Sequence, residues 1–132
     1  MNIEELREYC ISKKGTTEEF PFDNDTLVFK VMGKMFILVP LDRWERGQEL
    51  SVLKLDPERA LELREEYDGI KGGFQMGRSD DAKYVYAKHW NTIENNKDVS
   101  DQFQRELIDH SYNAVIKGFP KKLKQEYNSL EN

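Results

Sequence analysis

Residues 88–92, with the sequence KHWNT, place a cation, an imidazole, an indole and an amide next to one another. Such groups can bind phosphate, act as acid or base, stack on a ring or read a polar ligand. We predict a strand over residues 84–93, in which successive side chains alternate between two faces. The alternation places Tyr84, Tyr86, Lys88, Trp90 and Thr92 on one face, and Val85, Ala87, His89, Asn91 and Ile93 on the other.

The first of these faces interleaves aromatic rings with a lysine. Tyr86, Lys88 and Trp90 in this pattern favour an open sheet surface that stacks bases or contacts a partner. The alternative is that Tyr86 and Trp90 pack in the core while Lys88 extends to solvent. On the other face, compact neighbours predict that His89 and Asn91 are buried and hydrogen-bonded. We interpret them as a structural polar pair, since the sequence offers no residue at triad spacing.

Three other features that could carry chemistry are better explained by structure. Cys10 lies on the apolar stripe of the first predicted helix, where a thiol is usually a small core residue. Ser111 lies on the apolar face of a later helix, where we expect its hydroxyl to bond a carbonyl one turn earlier. Two histidines and one cysteine exclude a Cys/His zinc cluster. The carboxylates of the acidic stretch EEFPFD are interpreted as a solvated surface, whereas Phe20 within it is expected to anchor the link from helix to strand in the core. We predict no catalytic residue, no metal site and no cofactor.

The charge of the chain is low overall but unevenly distributed. A net charge of −5 disfavours nucleic-acid binding over the whole surface, since such binding depends on phosphate neutralisation. A basic group nevertheless lies near the end of the chain, formed by Lys117, Lys121, Lys122 and Lys124. The net charge therefore does not exclude a local basic surface that binds nucleic acid. No apolar run approaches the roughly 20 residues that span a bilayer, and the first residues are acidic where a signal peptide is basic. We expect a cytoplasmic protein.

The 132 residues match the size of one domain, which we place over 1–132. Capping residues, glycines and apolar periodicity predict the order α-β-β-β-α-β-β-α, followed by a short C-terminal helix. The predicted helices cover residues 3–13, 57–67, 101–117 and 120–130, and the predicted strands cover 26–31, 34–39, 50–55, 74–76 and 84–93. Short connections between the strands predict an antiparallel sheet. Helices with one apolar stripe each predict a two-layer α+β fold, with helices on one sheet face and the other partly open.

Four stretches in order resemble signatures of the MmcQ/YjbR family: EEFPFDNDTLVFKVMGKMF (18–36), LKLDPERALELREEY (53–67), KHWNT (88–92) and IDHSYNAVIKGFPKK (108–122). The resemblance implies a two-layer α+β fold of the CyaY-like or secretion-chaperone-like kind. It also implies the label DNA-binding, through a double-wing motif. One departure is the segment GRSDDAKYVYA (77–87), which is inserted before KHWNT. We expect longer strands or a protruding loop there, with Asp80 and Asp81 at a tip that would repel phosphate.

Two functions follow as hypotheses. The first is a small non-enzymatic binding protein whose ligand is DNA, bound through Tyr86, Lys88, Trp90 and the lysines near residue 120. The second is a protein-interaction or chaperone-like module, whose open sheet face holds a peptide or a second copy of the chain. A contiguous basic patch beside an exposed Trp90 favours DNA, whereas an apolar patch above roughly 400 Å² favours a protein partner.

Overall fold

The computed structural model describes residues 1–75, 84–95 and 97–131, which form an α+β fold around an antiparallel sheet. In chain order the elements are α1 (Ile3–Ile11), β1 (Thr16–Glu19), β2 (Thr26–Val31), β3 (Lys34–Pro40), α2 (Leu41–Glu45), β4 (Leu50–Lys54), α3 (Pro57–Glu66), β5 (Ile70–Gly72), β6 (Phe74–Gln75), β7 (Tyr84–Val85), β8 (Trp90–Glu94), α4 (Asp101–Lys117) and α5 (Lys121–Asn128). The main sheet has the order β1-β2-β3-β4-β8-β5, and β6 pairs with β7 separately. The predicted α+β fold class is confirmed, whereas the predicted order of elements lacks β1, α2 and β5.

Three helices begin at the side-chain caps that the sequence predicts. Asn2 accepts the N–H of Glu5 at 2.8 Å, and the Glu5 carboxylate accepts the N–H of Asn2 at 3.2 Å, which completes a capping box. Asp56 caps α3 with Pro57 in the first helical position, and Ser100 caps α4. Because these caps act on neighbouring residues, the sequence alone predicts where the helices begin.

The β2–β3 hairpin follows the prediction closely. Met32 and Gly33, at its turn, have φ angles of 50° and 83°. Positive φ at both central residues is the conformation of a type I′ turn, which suits the twist of the two strands. Further along, the pairing shifts by one residue at a β-bulge, so that Phe36 has no partner residue on β2.

The helices cover one face of the main sheet and form the inner core with it. Among its fully buried side chains are Leu6 and Cys10 from α1, Phe29 from β2, Leu63 from α3 and Ile108 from α4. Each helix therefore packs by one apolar stripe. Among the described residues, no helix is long and apolar enough to cross a membrane.

The apolar residues on the opposite face of the sheet are also covered, so this face is less open than predicted. Val28, Leu38, Val52, Val85 and Trp90 form a second buried cluster there, which we call the outer core. Three half-buried side chains, Phe22, Met35 and Phe74, pack against it. Val85 and Phe74 are a pair in the β6–β7 hairpin, so this small hairpin covers the face that we expected to face solvent.

A turn interrupts the strand that we predict over residues 84–93. β7 ends at Val85 and β8 begins at Trp90, and the Trp90 N–H donates to the Tyr86 carbonyl at 3.2 Å. We call residues 86–89, which end with the first two residues of KHWNT, the KHWNT turn. Strict alternation applies only from Trp90 onward, and for this reason Val85 lies in the outer core rather than on the face that we predicted. Most of the inserted segment, including Asp80 and Asp81, lies outside the described residues.

Candidate functional site

Trp90 is placed on the predicted face of the sheet but is not available to a ligand. Its exposed fraction is 9%, and it packs with Val28, Leu38 and Val52 in the outer core. The prediction that Trp90 presents an open stacking surface is therefore wrong. The core alternative is correct for Trp90 but not for Tyr86, which is 75% exposed. The reason for the burial of Trp90 is the β6–β7 hairpin, whose contacts across the sheet face are not evident from the alternation within β8.

His89 is likewise not where the alternation predicts. It is exposed in the KHWNT turn, because β8 begins one residue later, and its carbonyl accepts the N–H of Leu55 at 2.6 Å. The prediction of a buried His89 is wrong. The bond to Leu55 joins the KHWNT turn to the end of β4 and the beginning of α3.

Asn91 is buried on the inner face and is hydrogen-bonded on both sides of its amide. Its Nδ2 donates to the Ala60 carbonyl at 2.9 Å, and its Oδ1 accepts from Arg64 Nε at 2.7 Å. Arg64 also donates to the carbonyl of Ala87 in the KHWNT turn. A Cβ on Gly72 would lie 2.8 Å from Arg64 Cζ, so only glycine leaves room for the guanidinium. Asn91 and Arg64 together fix the KHWNT turn on α3.

The exposed His89 opens onto a cleft of about 950 Å³, which we call the basic cleft. It is lined by Lys34, Lys54, Leu55, Asp56, Pro57, His89, His110, Asn113, Ala114, Val115, Lys117, Gly118 and Phe119. β3 and β4 are antiparallel, so the beginning of β3 and the end of β4 meet at one edge of the sheet. The KHWNT turn and the last turns of α4 complete the walls.

Positive charge dominates the polar lining of the basic cleft. In the described part of the chain, three lysines and two histidines line the cleft together with one carboxylate, that of Asp56. Asp56 is already engaged as the cap of α3, and its backbone N–H donates to Nε2 of His110 at 3.4 Å. Among the described residues, Lys34, Lys54 and Lys117 have no ion-pair partner, so their charge is available to an anion.

The structure brings together only some of the predicted ligand-binding residues. Lys117 lines the basic cleft, and Lys88 is exposed in the KHWNT turn beside it. Tyr86 is the first residue of that turn and is 75% exposed, with its ring 5.3 Å from that of Tyr84. Lys121, Lys122 and Lys124 are exposed on α5 and do not line the cleft. The role of these residues in binding stays a prediction.

Sequence reasoning missed three residues of the cleft: Lys34, Lys54 and His110. A usable signal was present, because Lys34 begins one predicted strand and Lys54 nearly ends its antiparallel neighbour. His110 lies at the edge of the apolar stripe of its predicted helix, a position that predicts a half-exposed side chain with no role in binding. It is half-buried, but it lines the same cleft as His89, and this placement depends on how α4 packs against the sheet.

Ser111 is fully buried on α4, next to the cleft residue His110. Its hydroxyl donates to the carbonyl of Phe36 at 2.5 Å, and not to a carbonyl one turn earlier in its own helix, as we predict. The β-bulge explains the difference. Phe36 has no partner residue on β2, so its carbonyl is available to Ser111.

Neither a reactive thiol nor a metal cluster is found in the described segments. Cys10 is completely buried, and this burial raises the pKa of its thiol to about 12, which keeps it protonated. Among residues 1–75, 84–95 and 97–131, no group of three or more His, Cys, Asp or Glu side chains could hold a metal ion.

Comparisons with known proteins agree with the resemblance of the four stretches. The family model described as YjbR matches residues 11–114. The Escherichia coli O157:H7 protein YbdF is 32% identical over 103 residues, which cover 78% of this chain and 75% of that protein. YjbR of Escherichia coli K12 is 24% identical over 120 residues, which cover 91% of this chain and 92% of YjbR.

Solved structures show the same architecture. The crystal structure of Deinococcus radiodurans protein DR2400, with a domain designated DUF419, superposes with a TM-score of 0.78 at 33% identity, covering 99% of this chain and 93% of that one. A crystal structure of a Pseudomonas syringae protein superposes with a TM-score of 0.65 at 22% identity, covering 86% and 98%, and supports the fold alone. With a family match over most of its length and a relative above 30% identity, the chain belongs to the MmcQ/YjbR family.

Proposed function

We propose that this protein is a small non-enzymatic binding protein that holds DNA by its phosphates in the basic cleft. One observation carries the proposal: all four stretches that resemble the family signatures contribute to this one cleft. Lys34 comes from the first stretch, Lys54 from the second, His89 from the third, and His110 and Lys117 from the fourth. Residues from stretches that extend over positions 18–122 of the sequence therefore meet at one basic surface.

The proposed binding mode is electrostatic. Phosphate groups release counterions when lysines neutralise them, and this term supplies most of the non-specific affinity for DNA. The three lysines of the cleft have no competing ion pair among the described residues, and the rings of His89 and His110 add hydrogen-bonding groups. Tyr86 replaces Trp90 as the aromatic residue that can stack on a base, since it is the exposed ring of the KHWNT turn.

Two of the polar groups that line the cleft, His110 and Asp56, favour binding over catalysis. His110 accepts a backbone N–H through Nε2, and Asp56 accepts the N–H of Arg59 as the cap of α3. A general base must be free to take a proton from its substrate. Both groups instead serve the architecture of the cleft wall, which supports a non-enzymatic role.

The chaperone-like alternative loses the surface on which it depends. It requires an apolar patch on the sheet face opposite the helices. The apolar residues of that face, Val28, Leu38, Val52 and Trp90, are buried in the outer core. We therefore favour DNA over a peptide held on the open sheet.

The experiment measures the salt dependence of DNA binding in matched variants. Fluorescence anisotropy with a labelled duplex should show affinity that falls about 40-fold between 50 and 200 mM salt if three phosphates are contacted. The double variant Lys54→Gln, Lys117→Gln should bind at least about tenfold more weakly and with a shallower salt slope.

Lys71→Gln with Lys97→Gln is the control, because it removes the same charge from exposed residues that do not line the cleft. This control should bind almost as the parent does. Equal losses in the two double variants would mean that only net charge matters. No binding by the parent even at 50 mM salt would refute the DNA proposal.

A further inference from the structure

A second concave surface lies at the opposite end of the sheet. It is lined by residues of the first turns of α1, by Glu18 of β1 and Phe20 after it, by Leu27 near the beginning of β2, and by α2. We call it the acidic groove, and its volume is about 790 Å³. The basic cleft lies where β3 begins and β4 ends, whereas this groove lies where β3 ends and β4 begins. The two surfaces therefore share the sheet but no lining residue.

The floor of the acidic groove is apolar and partly fixed in place. Leu27 is buried at 2% exposure, and Ile3, Leu41 and Trp44 are half-buried beside it. The indole N–H of Trp44 donates to the Leu50 carbonyl at 2.8 Å, which holds the ring in one position. Such a floor is preformed, and its ordering adds little entropic cost to binding.

Phe20 leaves apolar surface uncovered at the side of the groove. Its exposed fraction is 49%, although a phenylalanine usually contributes its ring to a core. We predict from the sequence that Phe20 anchors the link from helix to strand in the core, and its exposure corrects that prediction. A ring left half exposed beside an apolar concavity gives a ligand additional area to cover.

The rim of the groove carries an excess of negative charge. Among the residues that the structure describes, four carboxylates, those of Glu4, Glu18, Glu45 and Glu49, line it together with one cation, Arg7. Arg7 is committed to Glu18, with distances of 2.8 and 3.2 Å from its two nitrogens to the two carboxylate oxygens. The other three carboxylates have no ion-pair partner among the described residues, so a ligand that enters the groove meets uncompensated negative charge.

We infer that the acidic groove binds a small organic cation with an apolar body, that is, an amine attached to an aromatic or aliphatic group. The volume falls in the range of small-molecule sites, which combine an apolar lining with a few polar groups that orient the ligand. The apolar body covers the floor and the ring of Phe20, while the ammonium group lies among the carboxylates of the rim. This inference goes beyond the proposed DNA binding, because it concerns a different surface, ligand and charge.

The test compares three ligands with one apolar body and different head groups: 4-phenylbutylamine, 4-phenylbutanol and 4-phenylbutyrate. Trp44 lines the groove, and its fluorescence in a Trp90→Phe background should report saturable binding of the amine. Ligand-observed saturation-transfer NMR on the parent protein gives a second readout that requires no substitution. The amine should bind about five- to tenfold more tightly than the alcohol, and the carboxylate should bind least.

Paired variants locate the binding. Glu45→Gln with Glu49→Gln should reduce the affinity for the amine about fivefold or more and leave that for the alcohol unchanged. Glu65→Gln with Glu106→Gln removes two exposed carboxylates that do not line the groove and should change neither affinity. Equal binding of the amine and the carboxylate, or no saturable binding of the amine by NMR, would overturn the inference. Much tighter binding of a peptide that presents Lys-Phe-Lys would also overturn it, since the groove would then be a peptide site.

Discussion

The two ends of the sheet present surfaces of opposite charge, although they are built on the same strands. The basic cleft gathers three lysines and two histidines around one capping aspartate, whereas the acidic groove sets four carboxylates and one paired arginine around an apolar floor. The net charge of −5 describes neither end. Because electrostatic interactions are screened over roughly 10 Å in physiological salt, a ligand responds to the local surface and not to the average.

The two surfaces also differ in how they are supported. Both surfaces lie against the inner core, with Leu27 and Trp44 in the floor of the acidic groove and Leu55, Val115 and Phe119 lining the basic cleft. The basic cleft depends in addition on the KHWNT turn, which is held by Arg64 from α3 and by Trp90 in the outer core. Damage to the outer core should therefore affect the basic end of the molecule first.

The largest expected effect is that of Trp90→Ala. Truncating a buried indole removes its contacts and leaves a cavity, at a cost of about 3–5 kcal/mol in the free energy of unfolding. Urea unfolding should show this loss, whereas Trp44→Phe, a conservative change in the acidic groove, should cost about 1 kcal/mol. DNA binding should weaken with Trp90→Ala under conditions in which the variant is folded, because the KHWNT turn loses its anchor. Parent-like unfolding of Trp90→Ala would mean that the outer core does not support this turn.

A charge-balanced variant tests whether local charge governs binding. Lys54→Glu with Lys117→Glu should weaken DNA binding by roughly 100-fold at low salt, because two phosphate contacts become repulsions. Adding Glu45→Lys and Glu49→Lys in the acidic groove restores the net charge to that of the parent, −5. If the basic cleft is the site, this quadruple variant should bind DNA nearly as weakly as the double variant does. Recovery of parent affinity would show that the two ends act only through net charge.

The smallest expected effect concerns Ser111, which links α4 to β3 behind the basic cleft. Ser111→Ala removes the bond to the Phe36 carbonyl and leaves that buried acceptor unpaired, which should cost about 1–2 kcal/mol of stability. Ser111→Leu should cost more, because the site is completely buried and has no room for the larger side chain. Thermal melts of the two variants provide the measurement. Equal stability of both variants and the parent would mean that Ser111 does not pack against β3.

The sequence by itself determined several local features of this protein. The capping box at Asn2, the Asp56–Pro57 start of α3 and the whole extent of α4 were all predictable. So was the hairpin that turns at Gly33. Each depends on interactions between residues only a few positions apart, so its signal is contained in a short stretch of chain.

Only the tertiary structure decided which of the chemically interesting residues are available. Alternation within β8 placed Trp90 on the correct face, but burial of that face depends on a hairpin that pairs Phe74 with Val85. The exposure of His89 depends on a turn that Arg64 holds from another element. The basic cleft likewise joins Lys34 to residues up to 85 positions away. Such contacts are set by how helices and strands pack across the sheet, and no short-range pattern of residue types encodes which distant partner will cover a given side chain.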